Sequence, residues 1–191
     1  MEESQLIQAV KQGEKDAFNQ LMQPYIQKAY RTAYLIVNDK GLAEDAVQES
    51  LIQAYQSFHR FNEEIASFKT WFHQILIYTT LKQKRKKQFS FLQPEMWFRI
   101  KDERTPERDC LVQEESQLIL DAVQQLSTKH QIAIILFYYQ ELSISEIAEV
   151  LQVKEGTIKS RLHKAREKMK EYLACTIFLD KDMEVGAWID K

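Results

Sequence analysis

Apolar residues recur every three or four positions along most of this chain, and only four glycines and three prolines interrupt them in 191 residues. Such a sequence has few places for tight turns and little that favours strands. Gln, Glu, Lys, Ala and Leu dominate while Val, Thr and Gly are scarce, so the expected fold class is all-α. Leu6, Ile7 and Val10 form one stripe that stops at Gly13. Phe18, Leu21, Met22, Tyr25, Ala29 and Ala33 mark a second helix over 15 to 37, with Pro24 placed to kink it. "NDKG" (38 to 41) reads as a turn. A third helix, 42 to 59, turns Ala43, Val47, Leu51, Ala54, Tyr55 and Phe58 inward and Glu44, Asp45, Gln48 and Glu49 outward. A fourth spans 67 to 87, which completes one bundle.

The period is lost from 88 to 112, where two prolines and mixed charge indicate a linker, though Phe89, Phe91, Trp97 and Phe98 are apolar enough to dock. Fully extended, this stretch reaches at most about 80–90 Å, longer than two turns of B-DNA at ~34–36 Å each. Helical periodicity returns at 113 to 126 and 129 to 139, then in "LSISEIAEVLQVKEGTIKSRLHKAR" (142 to 166). The organisation expected is therefore a helical domain over 1–87, a linker over 88–112, a second helical domain over 113–173 and a tail over 174–191.

Several function classes drop out. The longest apolar run, "IAIILFYY" (132 to 139), is far too short for a membrane span. The N-terminus lacks a signal-peptide layout. Cys110 and Cys175 stand apart, so neither a disulfide frame nor a zinc site is expected. No side-chain arrangement resembles a nucleophile, an acid–base pair or a metal site, so no catalytic residue, metal or other cofactor is predicted. A reducing cytoplasm is the expected compartment.

Net charge is only −2, but it is segregated. "KQKRKK" (82 to 87) is almost purely basic, and seven cations outnumber two glutamates between Lys154 and Lys170. Acid collects at 41 to 64 and 102 to 121. Two basic surfaces and an acidic one fit a protein that meets nucleic acid and another protein.

In the 142–166 segment, Ser143 and Glu146 form a capping box. Ile147, Leu151, Val153, Ile158 and Leu162 supply the contacts between two helices, and Ala148 is small where they cross. Burying Ile158, Leu162, Ala165 and Met169 turns Gly156, Ser160, His163 and Lys164 outward, flanked by Thr157, Lys159 and Arg161. A polar, basic face at a helix N-terminus suits the major groove, where Lys and Arg pair with guanine and the helix end favours phosphate.

"ELSISEIAEVLQVKEGTIKSRLHKAREKMKEYL" resembles region 4 of the sigma-70 family of bacterial RNA polymerase initiation factors, and most of all the small extracytoplasmic-function (ECF) group. "AEDAVQESLIQAYQSFHRF" is similar to region 2.2, and "SFKTWFHQILIYTTLKQKRKK" to regions 2.3 and 2.4. The resemblance implies a region-2-like bundle followed by a region-4-like domain. It implies that Thr157, Lys159, Ser160, Arg161, His163 and Lys164 read the upstream (−35) promoter element. It also implies that Asp45, Gln48 and Glu49 face core RNA polymerase, and that Trp71, Tyr78, Lys82 and Arg85 engage the downstream (−10) element as it melts. An inhibitory anti-sigma partner belongs to the same expectation.

The aromatic-to-cation stripe 71–78–82–85 has the composition that single-stranded DNA capture needs. Opening about ten base-pair steps costs roughly 14 kcal/mol, whereas stacking returns only ~1–3 kcal/mol per base, so a chain this small needs a larger machine to hold a bubble. The sequence departs from the family pattern in four places: Tyr78 and Lys82 where Asn and Asp are frequent, Gln152 where the turn usually has Gly, and Lys154 where a Ser cap is usual. Two other readings compete. One is a helix-turn-helix regulator acting without polymerase on palindromic sites; the other is a polymerase-binding adaptor that has lost promoter melting.

Overall fold

The computed structural model describes residues 2–90 and 114–179; of the linker expected at 88–112 and the tail expected at 174–191, residues 91–112 and 180–191 lie outside that range, while 88–90 are helical. Eight α-helices account for nearly all of it, with no strand among the described residues. They fall in two compact units, one carrying α1 to α4 and the other built on α5 to α8. No described helix is long and apolar enough to cross a membrane.

In the first unit α1 (Glu3–Lys11) ends at Gly13, whose φ of +94° closes a Schellman motif: Glu14 N–H reaches Ala9 O at 3.1 Å and Gly13 N–H reaches Val10 O at 3.0 Å. Helix α2 (Lys15–Val37) runs through Pro24 without ending. It stops at Asn38, left-handed at φ 51°, with the amide bonded to Tyr34 O at 2.8 Å. Asp39 then caps α3 (Lys40–Ser57) by accepting the Leu42 amide at 3.0 Å, so "NDKG" is two consecutive helix ends. A 3-10 turn, Phe58–Arg60, leads to a loop, and Ser67 Oγ caps α4 (Phe68–Ser90) through the Thr70 amide at 3.1 Å.

The core is where the apolar period places it. Leu21, Met22, Ile36, Phe68, Phe72 and Leu76 are fully buried. Tyr55, expected inward, is 44% exposed: its ring lies edge-on to Phe18 at 5.1 Å, so one side of the ring packs while the rest meets solvent. Tyr25 is half-buried, and its hydroxyl donates to Glu3 across α1 and α2 at 2.7 Å. Burial, then the Glu3 hydrogen bond, push this phenol above its ordinary range.

In the second unit α5 (Glu114–Gln124) is followed by α6 (Thr128–Ile134), which opens into a π turn over Ile135–Tyr139. A single helix was expected at 129–139. The run Ile132–Leu136 is buried all round, so no amphipathic period constrains it. Gln140 N–H instead reaches five residues back to Ile135 O at 3.1 Å, and Leu142 six back to Leu136 O. The predicted capping box opens α7 (Ile144–Val150): Glu146 N–H donates to Ser143 Oγ at 3.2 Å and Ser143 N–H to Glu146 Oε2 at 2.8 Å. Helix α8 (Glu155–Leu179) continues six residues into the segment expected to be tail.

The turn between α7 and α8 is tight despite lacking glycine. Gln152 takes φ +53°, Val153 N–H reaches Ala148 O at 2.9 Å and Gln152 N–H reaches Glu149 O at 3.2 Å, a full Schellman motif. A left-handed non-glycine residue costs roughly 1–2 kcal/mol. Gln152→Gly is therefore expected to raise stability by about 0.5–1 kcal/mol after the glycine's extra unfolded-state entropy is counted. Chemical denaturation followed by circular dichroism checks this, and a lowered midpoint would contradict the strain argument.

Candidate nucleic-acid interface

Helix α8 carries one buried line, Ile158, Leu162 and Ala165, with Met169 half-buried at its end. Between Lys159 and Lys170 its basic side chains fall on two flanks of that line. Lys159, His163, Arg166 and Lys170 recur at spacings of four, three and four; Arg161, Lys164 and Lys168 at three and four. Gly156 and Ser160 are exposed on the outer face, while Thr157 and Arg161 are half-buried. All six side chains expected to read the upstream element thus occupy the first half of one helix, from Thr157 to Lys164. At 1.5 Å per residue that segment is about 10 Å long, close to the ~12 Å width of the major groove. His163 lies 3.4 Å from Glu167, one turn further along.

Beneath the second flank sits His130 of α6, buried, with Nδ1 3.0 Å from Ser127 Oγ. Burial lowers its pKa first, and Lys129, Lys168, Lys164 and Arg161 lower it further. The neutral imidazole is the form the fold accepts.

The other two stripes are brought together. On α3, Asp45 and Gln48 are exposed, while Glu49 turns toward α4. Lys82 Nζ lies 2.5 Å from Glu49 Oε1, and Gln83 Nε2 donates to Glu49 Oε2 at 2.8 Å. The Lys82 hydrogen bond holds the Glu49 carboxyl below the usual carboxylate range, against the opposing effect of burial; the same bond raises Lys82. One turn below, Ser50 and Thr79 hydroxyls meet in the core at 2.5 Å.

Along the α4 stripe, Tyr78 is 65% exposed and Arg85 is exposed. Trp71 instead packs into an aromatic cluster, with ring centroids 5.1 Å from Phe61, 5.7 Å from Phe68 and 5.9 Å from Phe58, and is half-buried. The basic run beside it is not uniform. Lys84 folds back to donate to Ile36 O at 2.7 Å in the last turn of α2, and burial lowers its pKa. Gln83 and Lys84 were not singled out from sequence, and nothing in a run of lysines marks the one that serves a distant helix end.

Two helical units, the second holding a helix-turn-helix whose outer helix is basic on both flanks, define a two-unit helix-turn-helix protein. Comparison with known families narrows this. Residues 21–90 match Sigma-70 region 2 and residues 116–169 match Sigma-70, region 4. The chain is 32% identical over 177 residues to the ECF RNA polymerase sigma factor SigW of Bacillus subtilis, covering 87% of this chain and 94% of that one. It is 33% identical over 174 residues to the ECF RNA polymerase sigma-E factor of Haemophilus influenzae, covering 85% and 90%. Among solved structures it is similar to the sigma factor RpoE of Bartonella quintana, determined in complex with the anti-sigma factor NepR. There the TM-score is 0.67 and the identity 26%, over 84% of this chain and 98% of that one. The chain belongs to the sigma-70 family of RNA polymerase sigma factors, in its ECF group.

His130 supplies a pH test. A folded-state pKa below the unfolded value means stabilisation is complete above about pH 6.5 and is lost as pH falls beneath it. Melting temperatures from pH 7.5 to 5.5 should decline more steeply in the wild type than in His130→Gln. Equal declines would remove His130 from the account.

Proposed function

We propose that this chain directs core RNA polymerase to promoters by dividing three tasks among three helices. Helix α8 reads the upstream (−35) element through Thr157, Lys159, Ser160, Arg161, His163 and Lys164. Helix α3 meets core polymerase through Asp45, Gln48 and Glu49, an acidic-polar stripe that DNA would repel. Helix α4 engages the downstream (−10) element through Tyr78, Lys82 and Arg85. Trp71 sits on the same stripe, its packing among Phe58, Phe61 and Phe68 making it the anchor beside which Tyr78 offers a stacking face. The chain acts by binding rather than by catalysis, in the cytoplasm, and an anti-sigma protein restrains it.

One observation carries this reading: two sigma-70 regions match in family order, each on its own helical unit. A helix-turn-helix regulator working alone, its first unit dimerising or sensing a ligand, leaves the basic cluster at 82 to 87 without a task. The adaptor reading retains Tyr78 and Lys82 as its best support, since both depart from the family pattern.

Run-off transcription with bacterial core polymerase and genomic promoter fragments tests the proposal. New, specific start sites that appear only with this protein are the expected outcome; core binding without transcripts would favour the adaptor. A second test separates the surfaces. Asp45→Arg with Gln48→Ala should cut core-polymerase binding at least tenfold while leaving binding to duplex DNA within twofold. Glu49 is left unchanged because it also holds Lys82 and Gln83. Undiminished recovery of polymerase in a pull-down would remove α3 from the interface.

A further inference from the structure

The π turn at the end of α6 does something no groove-reading residue explains: it brings two rings to the surface against α8. Phe137 and Tyr138 stand edge to face, centroids 5.0 Å apart, and Tyr138 is 42% exposed. The Arg166 guanidinium lies over both, 5.7 Å from the Phe137 centroid and 5.8 Å from that of Tyr138. Arg166 Nε–H donates to the Tyr138 hydroxyl at 2.9 Å. Among the described residues no carboxylate pairs with Arg166, and it is exposed.

These contacts fix the side chain without consuming its recognition edge. A guanidinium has five N–H donors in a planar fork. Nε takes one, both rings lie alongside, and among the described residues the four N–H groups on the two terminal nitrogens of this exposed side chain have no acceptor. An arginine whose rotamers are already restricted loses less freedom when it binds, and its fork matches two phosphate oxygens. Its position along α8 fits a backbone contact. The Thr157–Lys164 segment spans about 10 Å, and Arg166 follows one half-turn later on the flank of Lys159 and His163, where a helix leaves the groove beside the phosphate wall.

We propose that Phe137, Tyr138 and Arg166 form a preorganised clamp for one DNA backbone phosphate, with Arg166 the binding residue and Tyr138 the positioning residue. The proposal rests on α8 being the DNA-reading helix and adds to it a contact that carries no sequence information. Both rings lie on the π turn, Ile135–Tyr139.

The test is fluorescence anisotropy of the full chain on a fluorescent mixed-sequence 30-base-pair duplex, titrated at several salt concentrations between 50 and 200 mM. One phosphate contact contributes about 0.9 to the slope of log affinity against log salt. Arg166→Ala should therefore lower the slope by about 0.9, making the wild-type advantage roughly 3–4-fold larger at 50 mM than at 200 mM. Arg166→Lys retains the charge and should restore the slope, with affinity still below wild type. Tyr138→Phe removes only the hydroxyl and should weaken binding 2- to 5-fold with the slope unchanged. Both conservative variants keep the packing and guard against loss of fold, which melting temperature monitors. If the wild type binds with its salt slope and Arg166→Ala binds with the same slope, the clamp is wrong and the reading of α8 stands. If the wild type shows no salt-dependent binding, both fall together.

Discussion

Helices α3 and α4 approach closely because α3 presents small residues along one line. Ala43, Ala46, Ser50 and Ala54 are each wholly excluded from solvent. At that separation the Ser50 and Thr79 hydroxyls meet: one donates to the other, and the accepting hydroxyl keeps its own proton for a carbonyl of its helix, Ala46 O lying 2.6 Å from Ser50 Oγ and Leu76 O 2.9 Å from Thr79 Oγ1. A net intramolecular hydrogen bond contributes about 0.5–1.5 kcal/mol, so this cross-helix bond favours the observed register over a slip of one helix along the other. The register it sets decides what happens at the surface one turn away, where Glu49 meets Lys82 and Gln83. An acidic stripe on one helix and a basic stripe on the next are thus joined at one point by a constraint buried beneath them.

In the second unit the same economy of surface has a cost in charge. Helix α8 can bury only one narrow line, so its cations must flank that line, and one flank lies over α6. His130 registers the result: its imidazole is disfavoured as a cation by burial and by four positive side chains. Such a cluster is held in place by packing from Ile158, Leu162 and Ala165, each essentially buried. A polyanion laid across it would relieve the repulsion, so a chain of net charge −2 can still carry a locally cationic surface.

Much of this was legible because it is local. The capping box at Ser143 binds an amide three residues on, so its spacing in the sequence is its geometry; the caps at Asp39 and Ser67 have the same spacing, but 38 to 41 read as a turn and Ser67 was not singled out. The buried line of α8 and the outward set from Gly156 to Lys164 follow from the 3.6-residue period alone. Helix ends were less legible where the usual signal is missing: Gln152 and Glu141 adopt left-handed conformations that sequence rules reserve for glycine or asparagine. The π turn escaped for a related reason, because a run buried on every side has no amphipathic period to break.

Sequence by itself determined the all-helical class, the order of the helices and the three polar stripes, since each depends on residues within a turn or two of one another. Only the tertiary structure decided how members of those stripes are used. It set Glu49 against Lys82 across 33 positions, folded Lys84 onto the end of α2, sank Trp71 among three phenylalanines and seated Arg166 on Tyr138. A periodic pattern specifies which way a side chain points, not what it meets. The partner depends on the separation and register of two helices, and those are fixed by side chains far away in the sequence.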